Sequence, residues 1–243
     1  MIPKKIHYCW FGRGEKPENV QKCLASWSKF CPDYQIVEWN EDNFDIDAYR
    51  YTREAYDAKK YAFLSDVARV YALYNFGGIY LDTDVEVLKS FDEILNTGIV
   101  LGFEEGDYVA TSFMAAEPRH NLFKDFLNSY CNSCFMSSDG TMKTYTNVLR
   151  ITKMLEEKGL QRNNQLQTLT EGITVYPKEY FSPYDYINCV YETSSRSICV
   201  HHFYVSWMPW TSRDKKQIKK VLVKVIGKQR LVEIRRLFKH DRD

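Results

Sequence analysis

Two aspartates, Asp82 and Asp84, stand two residues apart at the end of an apolar segment, residues 77–87, which reads GGIYLDTDVEV. Side chains two apart in an extended chain point the same way, so both carboxylates face one side. Carboxylates are rarely buried without a partner. A divalent cation that takes oxygen ligands, and keeps coordination places for phosphate oxygens, would neutralise the pair. A solvated acidic loop after a strand is the alternative interpretation.

Asp66 and Arg69 form a second charged pair, set among apolar residues in the segment 61–71, YAFLSDVARVY. A spacing of three places both side chains on one face of a helix. One interpretation is a simple ion pair. The other is that both groups bind the hydroxyl groups of a ligand close to the metal.

The periodicity of the apolar side chains predicts the elements that position these residues. The clearest helix is predicted at 60–76, ended by Gly77 and Gly78, and a strand at 79–81 follows it. The predicted apolar face of that helix consists of Phe63, Leu64, Val67, Tyr71 and Tyr74. Further strands are predicted at 2–10, 34–39, 98–103, 109–115, 173–176 and 197–202, and further helices from 17 to 27 and at 47–58, 121–131 and 145–157. Strands that alternate with helices indicate an α/β fold, in which ligands bind beyond the carboxyl ends of the strands.

Three blocks of the sequence, in order, carry a recognisable signature. They are the opening strand at 2–12 (IPKKIHYCWFG), the pair Asp66-x-x-Arg69 followed by Gly77-Gly78-x-Tyr80-x-Asp82-x-Asp84, and the closing element His201-x-x-x-x-Ser206-Trp207. Together they resemble glycosyltransferase family 32. That family includes bacterial capsular-polysaccharide glycosyltransferases and the yeast initiating outer-chain mannosyltransferase, and its signature also occurs in the glucosyltransferase domains of large clostridial toxins.

The resemblance implies a GT-A fold, a Rossmann-like mixed sheet flanked by helices, and a nucleotide-sugar donor. By position, Trp10 is expected near the nucleobase. Asp66 and Arg69 are expected to hold hydroxyl groups of the donor sugar. Tyr80 and Asp82 are expected at the ribose and the sugar.

The same resemblance implies Mn²⁺ or Mg²⁺ as cofactor. Asp82 is expected to reach the metal through water, and Asp84 to bind it directly. Either His201 or His202 is expected to complete the metal ligands, and the choice stays open because alternate strand positions face opposite ways. Ser206 and Trp207 are expected to close over the diphosphate on a mobile loop.

Charge is distributed unevenly along the 243 residues, although the net charge is only +1. Residues 213–243 hold twelve lysines and arginines against four acidic residues, so residues 1–212 carry about −7. We therefore expect a catalytic domain at 1–212 and a basic amphipathic helical tail at 213–243 that contacts anionic membranes. Nucleic acid is not an expected partner, because the acidic body would repel it.

The sequence contains seven cysteines with no repeating spacing and no signal peptide is recognised, so we expect free thiols and a cytoplasmic protein, peripheral on the inner face of the membrane. The predicted function is a metal-dependent, retaining glycosyltransferase that extends a lipid-linked surface or capsular polysaccharide. A UDP-sugar donor is favoured over GDP-mannose. No carboxylate nucleophile is evident, which favours a front-face mechanism. The alternatives are a toxin-like effector that glycosylates a protein, and a non-catalytic protein that binds a nucleotide sugar or carbohydrate.

Overall fold

The computed structural model describes residues 1–137, 139–142, 145–185 and 190–204. Two of the predicted site residues, Ser206 and Trp207, lie outside the described residues. The predicted basic tail at 213–243 and the boundary before it lie outside them as well.

The described residues contain five α-helices: α1 (Glu18–Phe30), α2 (Arg50–Asp57), α3 (Tyr61–Phe76), α4 (Asn121–Asn128) and α5 (Asn147–Glu156). The strands of the same residues are β1 (Lys5–Cys9), β2 (Gln35–Trp39), β3 (Gly78–Leu81), β4 (Val85–Val87), β5 (Ile99–Gly102), β6 (Phe113–Ala116), β7 (Gln167–Thr168), β8 (Ile173–Tyr176), β9 (Tyr184–Asp185), β10 (Val190–Tyr191) and β11 (Cys199–His201). Most predicted elements are present, and β4, β7, β9 and β10 were not predicted.

A seven-stranded sheet in the order β2-β1-β3-β6-β5-β8-β7 forms the centre of the fold. Strands β1, β2 and β3 are parallel, β6 runs antiparallel to both of its neighbours, and β5 and β8 are parallel to each other. The strands β1, β3, β5 and β8 therefore end at one common edge. This mixed sheet flanked by helices confirms the predicted α/β class with a GT-A arrangement.

Helix α3 is the central helix of one face of the sheet. Its fully buried residues are Leu64, Val67, Ala68, Val70, Ala72 and Leu73. The predicted apolar face is confirmed, with Phe63, Tyr71 and Tyr74 partly buried against the core, but the buried surface of α3 is wider than predicted. The reason is that α3 packs between the sheet and the neighbouring helices α2 and α4, so burial extends around most of its circumference.

The segment before β6 also departs from the prediction, which placed a strand at 109–115. The strand begins only at Phe113, and Val109 forms an isolated bridge to Phe103. A carbonyl group between these positions bonds to the segment that contains the two aspartates instead: Ser112 O accepts a hydrogen bond from Asp82 N at 2.9 Å. The chain at 109–112 thus forms a wall of the predicted site.

On the other face of the sheet, α1 covers the short strand β4. Trp27 Nε1 donates to Val85 O at 2.7 Å, and Val87 N donates to Ser26 Oγ at 2.9 Å. β4 in turn pairs antiparallel with β11, in a register that sets His201 opposite Val85. This pairing brings a histidine from near the end of the described chain to the aspartates that precede β4.

Two further findings concern the cysteines and the membrane. Among the described cysteines, Cys9, Cys23, Cys31, Cys131 and Cys199 form no disulfide. Across the described ranges, none of the helices combines the length and apolar character needed to cross a bilayer.

Gly77 and Gly78 make the turn from α3 into β3 with φ angles of +62° and +101°. A Cβ atom at Gly78 would lie 2.7 Å from the backbone oxygen of Lys5 on the neighbouring strand. His7 braces the same turn, because its Nε2 lies 2.8 Å from Gly77 O while its Nδ1 accepts from Trp39 Nε1 at 3.1 Å. These two hydrogen bonds place the proton of the ring on Nε2. Burial lowers the pKa of His7 to about 4, so the ring is neutral at pH 7.

We expect Gly78→Ala to lower the free energy of unfolding by at least about 2 kcal/mol, because the methyl group meets backbone at a positive φ. Gly14→Ala is the matched control, since a Cβ there meets no atom within 4 Å. Urea unfolding of both variants measures the difference. Equal stabilities for the two variants would show that the turn tolerates a side chain.

Candidate active site

Asp82, Asp84 and His201 form an acidic cluster at the common edge of the sheet. Asp82 follows β3 directly, Asp84 precedes β4, and His201 belongs to β11. One ligand atom from each residue lies within 4.8 Å of the others. Because only residues 82–84 separate β3 from β4 and β11 pairs with β4, backbone geometry brings the three side chains together.

Asp84 is the most firmly held member of this acidic cluster. Its Oδ1 lies 3.3 Å from His201 Nε2, and its Oδ2 accepts from Tyr204 N at 2.9 Å. Burial would raise the pKa of Asp84, but the imidazole of His201 and the N–H of Tyr204 outweigh it and hold that pKa below its usual value. Asp84 is therefore ionised at neutral pH.

The structure distinguishes the two histidines that the sequence left open. His201 contacts Asp84, whereas His202 faces away, with Nε2 3.0 Å from Glu86 Oε2 and Nδ1 2.6 Å from Tyr191 Oη. Burial would lower the pKa of His201, yet the carboxylates of Asp84 and Asp82 raise it. The Nδ1 atom of His201 is buried and has no hydrogen-bond partner among the described residues. Of the two rings, His201 is the one placed to serve as a ligand.

Arg69 is a buried cation that joins the acidic cluster to Asp66. Its side chain is only 6% exposed, and its Nη2 lies 3.1 Å from Asp66 Oδ1 while its Nη1 lies 3.2 Å from Asp82 Oδ1. The guanidinium also donates to Ser65 O at 3.2 Å and to Thr111 O at 2.8 Å. The ion pair predicted from the spacing of 66 and 69 is present, and Arg69 additionally holds the first aspartate of the DxD motif.

Tyr80 and Asp66 complete the surroundings of Arg69. The guanidinium lies 4.6 Å from the centre of the Tyr80 ring, and Tyr80 Oη donates to Asp82 Oδ1 at 3.0 Å. Burial raises the pKa of Asp66 to about 7, although Arg69 opposes the shift. Asp66 is nevertheless paired with Arg69 at 3.1 Å, and its side chain is 15% exposed.

Trp10 lies at the carboxyl end of β1, on the same edge of the sheet as the aspartates. It is partly buried, its Nε1 donates to Gly14 O at 2.7 Å, and Lys16 Nζ lies 5.7 Å from its ring. These contacts leave its expected role beside a nucleobase a proposal.

Glu104 is a residue of this site that sequence reasoning missed. It follows β5, which is parallel to β3 and separated from it only by β6. Its carboxylate lies within electrostatic range of His201 and Asp82, and burial raises the pKa of Glu104 to about 7. In the sequence, Glu104 and Glu105 look like an ordinary charged turn. Only the strand order places one of them beside the aspartates.

The acidic cluster has the chemistry of a divalent-cation site. It offers two carboxylates from the segment between β3 and β4 and one imidazole from β11, with one ligand atom of each within 4.8 Å of the others. Carboxylates suit Mn²⁺ and Mg²⁺, while an imidazole ligand favours a transition metal over Mg²⁺. The residues therefore fit the expected cofactor, with Mn²⁺ the better match.

We expect Arg69→Ala to lower the free energy of unfolding by about 3–5 kcal/mol, because it leaves two largely buried carboxylates without their cation. The matched control is Arg53→Ala, since Arg53 also lies between two aspartates, Asp47 and Asp57, but is 40% exposed, and its loss should cost at most about 1 kcal/mol. Urea unfolding measures both. If Arg69→Ala does not fold, Asp66→Asn gives the same comparison in milder form. Equal losses for the buried and exposed arginines would contradict the structural role given to Arg69.

Residues 17–99 match the family model described as a glycosyltransferase sugar-binding region containing a DXD motif. Inositol phosphoceramide mannosyltransferase 2 of Schizosaccharomyces pombe is 29% identical over 51% of this chain and 37% of its own length. Human lactosylceramide 4-alpha-galactosyltransferase is 30% identical over 49% of the chain and 32% of its own length. The chain thus spans about a third of these curated relatives.

Two further proteins match over most of the chain. An uncharacterized glycosyltransferase of Acanthamoeba polyphaga mimivirus is 27% identical over 86% of this chain and 85% of its own length. The solved glycosyltransferase involved in glycosylation of the major capsid of PBCV-1 aligns with 86% of this chain and 97% of its own, at 11% identity and a TM-score of 0.47. The sheet topology described above, rather than this structural likeness, establishes the fold class. Residues 17–99 thus resemble the DXD-containing sugar-binding region of glycosyltransferases, which confirms the resemblance predicted from the sequence.

Proposed function

We propose that this protein is a metal-dependent, retaining glycosyltransferase that moves a sugar from a nucleotide-sugar donor to a glycan on a lipid carrier. The observation that carries the proposal is the acidic cluster of Asp82, Asp84 and His201, set directly beside the buried Arg69–Asp66 pair. The first group suits a metal and a diphosphate, and the second suits sugar hydroxyls. A nucleotide sugar contains both parts in that order.

In this proposal Asp84 and His201 would hold Mn²⁺, and Asp82 would do so through water. A divalent cation bound there would offset the negative charge that builds on the departing diphosphate. Asp82 already pairs with Arg69 and accepts a hydrogen bond from Tyr80. Because Arg69 and Tyr80 compete with the metal for the carboxylate of Asp82, we propose that Asp82 contributes less to metal binding than Asp84.

Arg69 and Asp66 hold the donor sugar in this proposal. Arg69 is fixed by backbone carbonyls and by stacking on Tyr80, so it needs no rearrangement to donate a hydrogen bond. Asp66 offers carboxylate oxygens that accept hydrogen bonds from hydroxyls. Such fixed polar groups give specificity for a sugar while costing little conformational entropy.

A lipid-linked acceptor is supported by the names of the relatives, two of which act on inositol phosphoceramide and lactosylceramide. A UDP-sugar stays our preferred donor. For the transfer itself we propose a front-face reaction that retains the configuration of the sugar, in which the departing phosphate takes the proton of the attacking hydroxyl. Glu104 accepts a hydrogen bond from that hydroxyl and orients it.

The donor is tested by thermal unfolding of the wild type and Asp84→Asn with UDP- and GDP-sugars, with Mn²⁺, with Mg²⁺ or with neither. A native-state ligand at about 100 times its Kd adds about 2.7 kcal/mol, which raises the melting temperature by about 5–10 °C in a domain of this size. We expect that rise in the wild type with one nucleotide class and Mn²⁺, a smaller rise with Mg²⁺, and none in Asp84→Asn.

Asp57→Asn is the control for that measurement, because Asp57 is an exposed surface acid outside the acidic cluster. It should respond to donor and metal as the wild type does. A folded wild type that responds to none of the nucleotide sugars, or an undiminished response in Asp84→Asn, would argue for the alternative of a protein that does not use this cluster.

The role of Glu104 is tested with water as the acceptor, by following release of the nucleoside diphosphate from the donor. Loss of a hydrogen bond to a charged group costs about 1.5–3 kcal/mol, so we expect Glu104→Gln to lower kcat by about 10- to 100-fold with little change in donor affinity. Glu105→Gln is the neighbouring control, since Glu105 pairs with Lys178 at the surface. A covalent sugar adduct on Glu104, detected by mass spectrometry, would instead make it a nucleophile and rule out the front-face reaction.

A further inference from the structure

A cavity of about 250 Å³ opens between α2, the segment after α4 and the start of α5. It is lined by Tyr51, Asn132, Ser133, Cys134, Tyr145 and Arg150. Its wall after α4 is tied down by Glu54, whose Oε2 accepts from Phe135 N at 2.8 Å and from Met136 N at 2.9 Å. The cavity is therefore bounded by fixed structure.

Tyr51 brings an unsatisfied hydroxyl to this cavity. The residue is 2% exposed, and its Oη has no hydrogen-bond partner among the described residues. Its ring is held by edge contacts with Tyr130 and Phe135, at centroid distances of 5.1 and 5.6 Å. A buried hydroxyl without a partner costs free energy, and a fixed ring cannot turn to find one.

Arg150 brings a cation without a counter-ion. No carboxylate of the described residues lies within ion-pair distance of it, and its buried Nε has no hydrogen-bond partner among them. Its guanidinium lies 4.7 Å from the Tyr130 ring and 5.2 Å from the Tyr145 ring. Its Nη1 donates only long bonds, to the carbonyl and hydroxyl oxygens of Ser129 at 3.5 and 3.4 Å.

The cavity adjoins the proposed sugar site through Asp66. Arg150 acts electrostatically on the Asp66 carboxylate, Asp66 acts on the Tyr51 hydroxyl, and Asn147 Nδ2 donates to Asp66 O at 3.0 Å. Asp66 itself is paired with Arg69 on the side of the acidic cluster. Asp66 therefore interacts with Arg69 beside that cluster and, electrostatically, with two residues that line the cavity.

We infer that this cavity binds the carboxylate of an acidic sugar unit, a hexuronic acid. Arg150 and Tyr51 both line the cavity, and each has a donor, Nε and Oη, without a partner among the described residues. The guanidinium makes only long hydrogen bonds to Ser129 and Ser133 within that part of the chain. An arginine whose donors are not strongly engaged matches the two oxygens of a carboxylate. The exposed ring of Tyr145 offers a flat surface for the apolar face of the sugar. The position of the unit relative to the donor rests on the proposed function, whereas binding of the carboxylate needs no metal.

The probes are methyl glucuronide and methyl glucoside, which differ only in the carboxylate, and saturation-transfer NMR on the full chain measures their binding. We expect the glucuronide to bind, the glucoside to bind about tenfold more weakly or not at all, and Arg150→Gln to weaken the glucuronide by about tenfold or more. Tyr51→Phe removes only the unpartnered hydroxyl and should weaken it about threefold without loss of stability. Arg196→Gln, an exposed arginine paired with Glu179, is the control and should have no effect.

Equal binding of the two glycosides, no binding of the glucuronide, or binding indifferent to both Arg150→Gln and Tyr51→Phe would overturn the inference. UDP-glucuronate and UDP-glucose, compared in the presence of Mn²⁺, identify the source of the carboxylate. Arg150-dependent preference for UDP-glucuronate assigns it to the donor, and Arg150-dependent binding of the free glycoside alone assigns it to the acceptor. Asp84→Asn should keep the glucuronide signal, so loss of donor binding and loss of this subsite are separate results.

Discussion

The buried guanidinium of Arg69 is the interaction on which the rest of the site depends. It lies within ion-pair distance of Asp66 on its own helix and of Asp82 at the end of the next strand. Without it, two carboxylates would be buried at the junction of α3 and β3 with no compensating charge, which costs several kcal/mol. The guanidinium of Arg69 contacts Tyr80, Asp82 and the carbonyl of Thr111 at the same time. In the function proposed above, a structural demand of the fold and the recognition of a sugar thus use the same residue.

A second constraint is the backbone path that leads into the two aspartates. The two glycines bring β3 so close to β1 that a side chain at Gly78 would collide with the carbonyl of Lys5. That close approach sets where β3 ends, and therefore where Asp82 and Asp84 leave the sheet. The antiparallel pairing of β4 with β11 then delivers His201 to Asp84 with no freedom in register. Backbone geometry therefore sets the positions of the three residues of the acidic cluster, and side-chain contacts then fix their orientation.

Local patterns in the sequence predicted the local parts of this arrangement. The α3–β3 unit, the Asp66–Arg69 pair and the α/β class follow from helical periodicity, glycine and charge spacing. Features that depend on distant pairing did not follow. The sequence left His201 and His202 open, because the choice depends on the register of β11, and it missed Glu104, because only the strand order brings the end of β5 to the end of β3. The predicted strand at 109–115 was too long, since carbonyls at 111 and 112 bond to Arg69 and Asp82 instead of a neighbouring strand.

The two aspartates of the DxD motif have different partners, and this difference makes the two sides of the site chemically unequal. Asp82 is balanced by Arg69 and Tyr80, which are permanent parts of the protein. Asp84 depends on His201, a group whose charge is lost on deprotonation, and on one backbone N–H. A cation therefore gains most by binding on the side of Asp84, while the fixed cation Arg69 stays available on the side of Asp82. For the nucleotide sugar proposed as donor, this asymmetry favours the diphosphate on the side of Asp84 and the sugar on the side of Arg69.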